Sequence, residues 1–312
     1  MRGLAYRALD FAGTHATRLL AGGVLVGLAV PPLAAALRPL LLPAIVISLV
    51  LALVRLDWSA FGVHARRPLT VAWMVVWFLG VTPVLVWLAL RWLPLPEPLL
   101  TGLVLMAAAA PIMSGAAISL LVGLDAALAV VATVATTALV PFTLPPLAAA
   151  LLGVALDIEL PTFMLRLALI VGGAFAAAWL ARRLAPAAAI ARHARALDGM
   201  AVLWMVVFGI GIMDGVTALA LERPAYVAGA AVAAFAANLA LQGLGALVWR
   251  GADMRRALTI GLLTGNRNMG LVLVALGASA SVELVAFFAV AQIPMYVLPG
   301  LLAPVYRRLA AS

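Results

Sequence analysis

Long apolar segments follow one another along almost the whole chain, near residues 17–36, 40–54, 69–92, 97–120, 126–152, 162–182, 199–220, 225–249, 256–278 and 283–306, parted by short polar turns. About 20 apolar residues in a helix cross the hydrocarbon core of a bilayer. Backbone in lipid must satisfy its own hydrogen bonds, which a helix does. The succession therefore predicts an all-α polytopic membrane protein of ten transmembrane helices. Composition agrees, since 67% of residues are hydrophobic and 10% charged, far from a soluble domain. The 312 residues leave no room for a sizeable extramembrane domain. Cysteine is absent, which excludes disulfides, thiolate metal sites and cysteine nucleophiles. No cofactor and no metal site are expected.

The net charge of +9 raises the question of nucleic acid until the arginines are placed. Arg2, Arg7, Arg18, Arg55, Arg66, Arg67, Arg182, Arg183, Arg192, Arg195, Arg250, Arg255, Arg256, Arg307 and Arg308 fall in the tails and alternate turns; Arg38, Arg91, Arg166 and Arg223 fall in the others. This asymmetry is the positive-inside signal, so both termini are predicted cytoplasmic in a bacterial-type inner membrane. The charge is a topology signal and no nucleic-acid partner is expected. The partners implied are the lipid bilayer and a small-molecule substrate, with the oligomeric state open. The apolar run after Arg18 is too long for a cleavable signal peptide and is read as the first span, with Pro31 and Pro32 inside it. In the third span Trp92 sits where an interfacial anchor would, and Trp73, Trp77 and Trp87 read as packing.

His15, His64 and His193 all fall in predicted loops. No nucleophile and base can be paired inside a span, so an enzyme is not expected. A passive channel would repeat polar residues along one helix face, whereas these spans are mostly alanine, leucine and valine. A carrier fits better. Residues 1–182 are read as a first five-span repeat plus span six, 183–198 as a cytoplasmic amphipathic linker along the membrane surface, and 199–312 as the remainder of the second repeat. Five spans per repeat is an odd number, so the second repeat enters the membrane inverted.

The apolar pattern is interrupted in span four at Pro111-Ile112-Met113-Ser114-Gly115 and in span nine at Thr264-Gly265-Asn266-Arg267-Asn268-Met269-Gly270. Arg267 lies about 16 Å along a helix from Arg256, near the bilayer midplane. A charge there is expensive and faces protein or water rather than lipid. Breaks in matching helices of two inverted repeats point to a transport site, because unwound backbone frees carbonyl and amide groups at the midplane.

Gly265-Asn266-Arg267-Asn268-Met269-Gly270-Leu271 resembles the span-nine signature of the bile acid:sodium symporter family, with a glycine, a polar pair ending in asparagine and a following Gly-Leu. Pro111 to Pro141 resembles that family's span four and five block. Gly123-Leu124-Asp125-Ala126-Ala127-Leu128 takes the place of the turn, Thr133 and Pro141 follow at matching spacing, and Pro83 and Pro96 match prolines flanking the span-three exit. The resemblance implies a panel of spans 1, 2, 6 and 7, a core of spans 3–5 and 8–10, broken spans four and nine that cross, and alternating access. It also implies that the family's sodium ligands fall on Ala116, Ala117, Ala129, Thr133, Leu263, Arg267 and Phe78, of which Thr133 alone keeps an oxygen ligand. The chain thus looks like a divergent bacterial-type member that lacks most sodium-ligand residues.

Sodium needs several hard oxygen ligands, so sodium coupling is not expected. Arg267 supplies a permanent positive charge, either holding span nine against span four or meeting an anionic substrate. The candidate transport site comprises Ser114, Thr133, Thr264, Asn266, Arg267, Asn268, Gln292 and Asp214. Asp214 reads as a counter-ion to Arg267, a proton-coupling carboxylate or an outer-mouth residue. Gln292 reads as needing a partner on another helix, and Asn238 with Gln242 as glue on one face of span eight. The function expected is transport of a small or medium organic anion. The alternative is a sodium- or proton-coupled symporter, or an efflux carrier of the related auxin or arsenite type for another solute.

Overall fold

The computed structural model describes residues 2–56, 58, 62, 67–153, 158–251 and 253–310, so His64 and Arg66 lie outside the described residues. The chain is all-helical, with no strand among the described residues. Among the described residues, seven helices are long and apolar enough to cross a membrane: Pro31–Arg55, Pro68–Leu90, Ala126–Leu152, Leu160–Leu184, Ala194–Glu222, Pro224–Val248 and Val282–Ala310. Three shorter apolar helices among the same residues are Arg18–Ala29, Glu97–Ala108 and Met269–Ser279.

In chain order the α-helices are α1 (Arg2–Thr14), α2 (Ala16–Ala29), α3 (Pro31–Leu37), α4 (Leu41–Arg55), α5 (Pro68–Val76), α6 (Thr82–Leu90), α7 (Glu97–Ala108), α8 (Gly115–Leu121), α9 (Ala126–Leu152), α10 (Leu160–Leu184), α11 (Ala187–Arg192), α12 (Ala194–Gly211), α13 (Val216–Glu222), α14 (Pro224–Val248), α15 (Met254–Gly265), α16 (Met269–Leu276) and α17 (Val282–Ala310). They form two compact units, one of Met1–Leu56 with Ala168–Arg223 and one of Asp57–Leu167 with Pro224–Ser312.

In the first unit, α1, α2 and α4 each pack against α12. Glycine permits the closest of these approaches. A Cβ on Gly199 would lie 1.9 Å from the Leu9 carbonyl oxygen. Two expectations are corrected here. The turn between the first two spans falls at Val30 and not at 37–39, because Pro31 and Pro32 begin a helix instead of kinking one. Val30, preceding a proline, is driven out of the helical region to φ −128° and ψ 72°. Arg38 consequently lies in a 3₁₀ turn, Arg38–Leu40, inside the long segment Pro31–Arg55. The segment 183–198 holds the end of α10, which runs to Leu184, the short helix α11 (Ala187–Arg192) and the first turn of α12, which starts at Ala194. Its arginine neighbour Arg182 donates to the carbonyls of Val54 (2.6 Å) and Leu56 (3.3 Å), closing the end of α4.

The second unit contains a π-helical segment, Trp77–Val81, between α5 and α6. Pro83 is buried within this span, and the helix ends at Arg91, between Pro83 and Pro96, where the Arg91 guanidinium stacks on Trp87 and Trp92. The same unit holds two broken helices, α7/α8 and α15/α16. The span-nine break is narrower than expected, three residues from Asn266 to Asn268. The span-four break is wider on its N-terminal side and opens at Ala109.

Candidate functional site

The two breaks meet. Pro111 and Arg267 face each other as an isolated antiparallel bridge, closed by Ile112 N–H donating to Asn266 O (3.0 Å) and Asn268 N–H donating to Ala110 O (2.8 Å). The bonds come from the flanking residues, so Pro111 and Arg267 form the non-hydrogen-bonded pair of this short ladder. Proline, with no N–H to give, leaves no donor unpaired there.

Arg267 is fully buried. Its Nε donates to Thr264 O (2.7 Å), and its Nη1 donates to Ala109 O (2.9 Å) and Phe78 O (3.1 Å). All three acceptors are carbonyls that the local fold leaves free. Ala109 ends α7 in an extended conformation and Thr264 is in the last turn of α15. At Phe78 the reason is the π segment. The Thr82 N–H goes to Trp77 O, and in that register the next donor would be residue 83, which is proline and has none. One guanidinium thus ties the π-bulge of span three to a carbonyl end of each broken helix. Its carbon also lies 5.1 Å from the Phe78 ring centroid. Among the described residues Arg267 makes no ion pair, and its Nη2 and the neighbouring Asn266 Oδ1 are buried without a hydrogen-bond partner.

The candidate residues separate by place. Thr264, Asn266, Arg267 and Asn268 lie at the crossing. Thr264 Oγ1 donates to Ile260 O (2.7 Å) and accepts from Trp77 Nε1 (3.0 Å). Asn266 Nδ2 donates to Leu262 O (2.7 Å). Asn268, half-buried, caps α16 by accepting from Leu271 N–H (3.3 Å). Ser114 is exposed in the facing break, just before α8. Thr133 is buried in α9 with its hydroxyl donating to Ala129 O (2.7 Å), and it lies 3.9 Å from where a Gly115 Cβ would stand. Gln292 is buried too, but its amide donates to Phe288 O (3.3 Å) in its own helix rather than across to another. Asp214 belongs to the first unit and pairs with Arg38 at 2.8 Å. The counter-ion role toward Arg267 is therefore taken by carbonyls, not by Asp214.

The expected glue on span eight has a definite target. Tyr306 OH donates to Gln242 Oε1, Gln242 Nε2 donates to Asn238 Oδ1, and Asn238 Nδ2 donates to Gly265 O (2.8 Å). This chain of bonds ends on the last carbonyl of α15. Sequence reasoning missed Trp77, Tyr306 and the carbonyl of Phe78. The only signal for the last was a proline, Pro83, inside an apolar run.

The positions where the resemblance expects sodium ligands can be tested for fit. Leu263 is fully buried, and its Cδ2 would stand 2.5 Å from a Cβ on Gly115, so an isobutyl group fills the space between the breaks where a carboxylate would have been. Ala129 and Phe78 are buried and apolar. This donor set does not fit a hard cation.

A family model described as the sodium bile acid symporter family matches residues 41–218. No curated protein matches the chain.

Proposed function

We propose, for a chain that belongs to the sodium bile acid symporter family and is accordingly a secondary membrane transporter, that it carries a small or medium organic anion by alternating access without sodium coupling. The observation that carries this reading is the crossing itself, where one arginine binds three carbonyls and a leucine fills the space beside Gly115.

The fold reading completes it. Ten spans arranged as two inverted five-helix repeats account for two breaks that fall on the fourth span of each repeat and meet antiparallel. The unit of Met1–Leu56 and Ala168–Arg223 corresponds to the panel, and the unit of Asp57–Leu167 and Pro224–Ser312 to the core. In this reading Arg267 works behind the substrate. A buried charge with no carboxylate partner makes the potential at the crossing positive, and its low-dielectric surroundings screen it weakly. Ser114 and Asn268, the less buried polar residues of the breaks, are the side chains that reach the solute. Thr133, Thr264 and Asn266 hold the backbone around them. The membrane is a bacterial-type inner membrane with both termini cytoplasmic.

Two measurements test the reading. Melting of the purified protein in sodium chloride and in choline chloride at equal ionic strength is expected to agree within about 1 °C, because an ion that does not bind the folded state does not stabilise it. A melting temperature that climbs with sodium concentration defeats the sodium-independent part. Uptake into proteoliposomes of a panel of organic carboxylates and their matched amides is expected to favour the carboxylates; equal uptake of the amides defeats the anion part.

A further inference from the structure

The helix ends in the second unit share one chemistry. The C-terminal ends of α7 and α15 are closed by Arg267. The end of α8 is closed by Arg307, whose Nη2 donates to Leu121 O (3.0 Å). The end of α16 is closed by Arg166, whose Nη1 donates to Leu276 O (3.1 Å) and Ala275 O (3.4 Å). Four half-helices thus end on guanidinium groups. Each C-terminus presents unpaired carbonyls and the negative end of a helix dipole, which a cation offsets. Gly277, at φ +58°, makes room for this at α16, because a Cβ there would stand 3.3 Å from Arg166 Nη1.

Arg166 differs from Arg307 in what it is attached to. Arg307 sits on α17, which stays in the second unit throughout. Arg166 sits on α10, and α10 passes from the second unit to the first between Leu167 and Ala168. The passage from Arg223 to Pro224 falls between α13 and α14. Within α10 the passage is made by uninterrupted helix, which transmits displacement along its axis.

We infer that Arg166 is a positioning residue for transport: it latches the distal half of the broken span nine to α10, a continuous helix that joins the two units. When the units move, α10 and α16 move together while the latch holds, and the balance between conformations depends on the two bonds from Arg166. The inference rests on the alternating-access reading above.

The absence of cysteine allows spin labels to be introduced without background. Labels at Leu184→Cys, on the first unit, and Leu120→Cys, on the second, lie on side chains 77% and 71% exposed. A pair at Leu120→Cys and Leu301→Cys, within the second unit, is the reference. Distance distributions are recorded on the full chain in nanodiscs for the wild type, Arg166→Gln, Arg166→Lys and Arg307→Gln. The wild type should show a between-unit distribution broader than the within-unit reference. Arg166→Gln should change the ratio of its populations roughly tenfold, the size expected for losing a charge-assisted bond. Arg166→Lys should restore most of the wild-type ratio, and Arg307→Gln should leave it unaltered. Hydrogen exchange should quicken over residues 269–279 in Arg166→Gln and over 115–123 in Arg307→Gln, showing that each variant folds and has lost its own cap. A between-unit distribution as narrow as the reference defeats the alternating-access reading. A broad one that Arg166→Gln leaves unchanged, or that Arg307→Gln shifts equally, defeats the latch alone.

Discussion

Arg267→Met is expected to lower the melting temperature of the purified protein by roughly 5–10 °C and to abolish transport. Methionine keeps much of the aliphatic bulk but leaves the carbonyls of Thr264, Phe78 and Ala109 without a donor in a fully buried site. Each unpaired buried carbonyl costs about 1–3 kcal/mol. Removing a charge from the membrane interior returns about 3 kcal/mol, so the net loss should be about 3 kcal/mol. Arg267→Lys keeps the charge but loses the fork that reaches three acceptors at once, and its melting point should fall between the other two. The outcome that overturns this account is an unchanged melting temperature together with weakened uptake of anions. That result would make Arg267 a substrate ligand and not the tie of the crossing.

Gly265→Ala should cost about as much for a different reason. A Cβ at this position would lie 2.5 Å from the Asn238 carbonyl oxygen and 2.5 Å from Gln242 Cγ. The first of these is backbone of α14, so the helix itself must shift. Overpacking of this kind costs about 1–3 kcal/mol. The shift also strains the bond from Asn238 to Gly265 O, worth about 1 kcal/mol. Gly261 meets the same helix, with a Cβ 2.5 Å from Gln242 O, so α14 and α15 pack through small residues spaced four apart. Gly229→Ala, where nothing lies within 4 Å of the added carbon, is the control and should stabilise slightly. In the Asn238→Ala background the cost of Gly265→Ala should shrink, since both act on one contact. Equal melting temperatures for Gly265→Ala and Gly229→Ala would remove the argument.

What could be read from the residues followed from short-range rules. The apolar runs gave spans because lipid leaves backbone no other partner. Pro111 and the polar run at Asn266 marked the breaks because proline removes a backbone donor and clustered asparagines favour turn geometry, whereas the isolated Pro141, Pro145 and Pro146 lie within unbroken α9. Val30 was misread because the pattern of apolar residues passes through it unbroken. The Pro31–Pro32 pair can kink a helix or begin one, and packing against α12 decides which. The effect of Pro83 on the Phe78 carbonyl appears only once the backbone takes the π register.

The sequence by itself determined that this chain lies in a membrane, that two of its helices are broken, and that a charge sits in one of the breaks. Tertiary structure alone decided what that charge does. Arg267, Arg166 and Arg307 are chemically identical residues that differ in the carbonyls they meet, and those carbonyls lie 3 to 189 residues away along the chain. Asp214, an equally plausible partner by type, is held by Arg38. Hydrogen bonds are short-ranged and directional, so which donor meets which acceptor is fixed by the folded geometry and not by residue type.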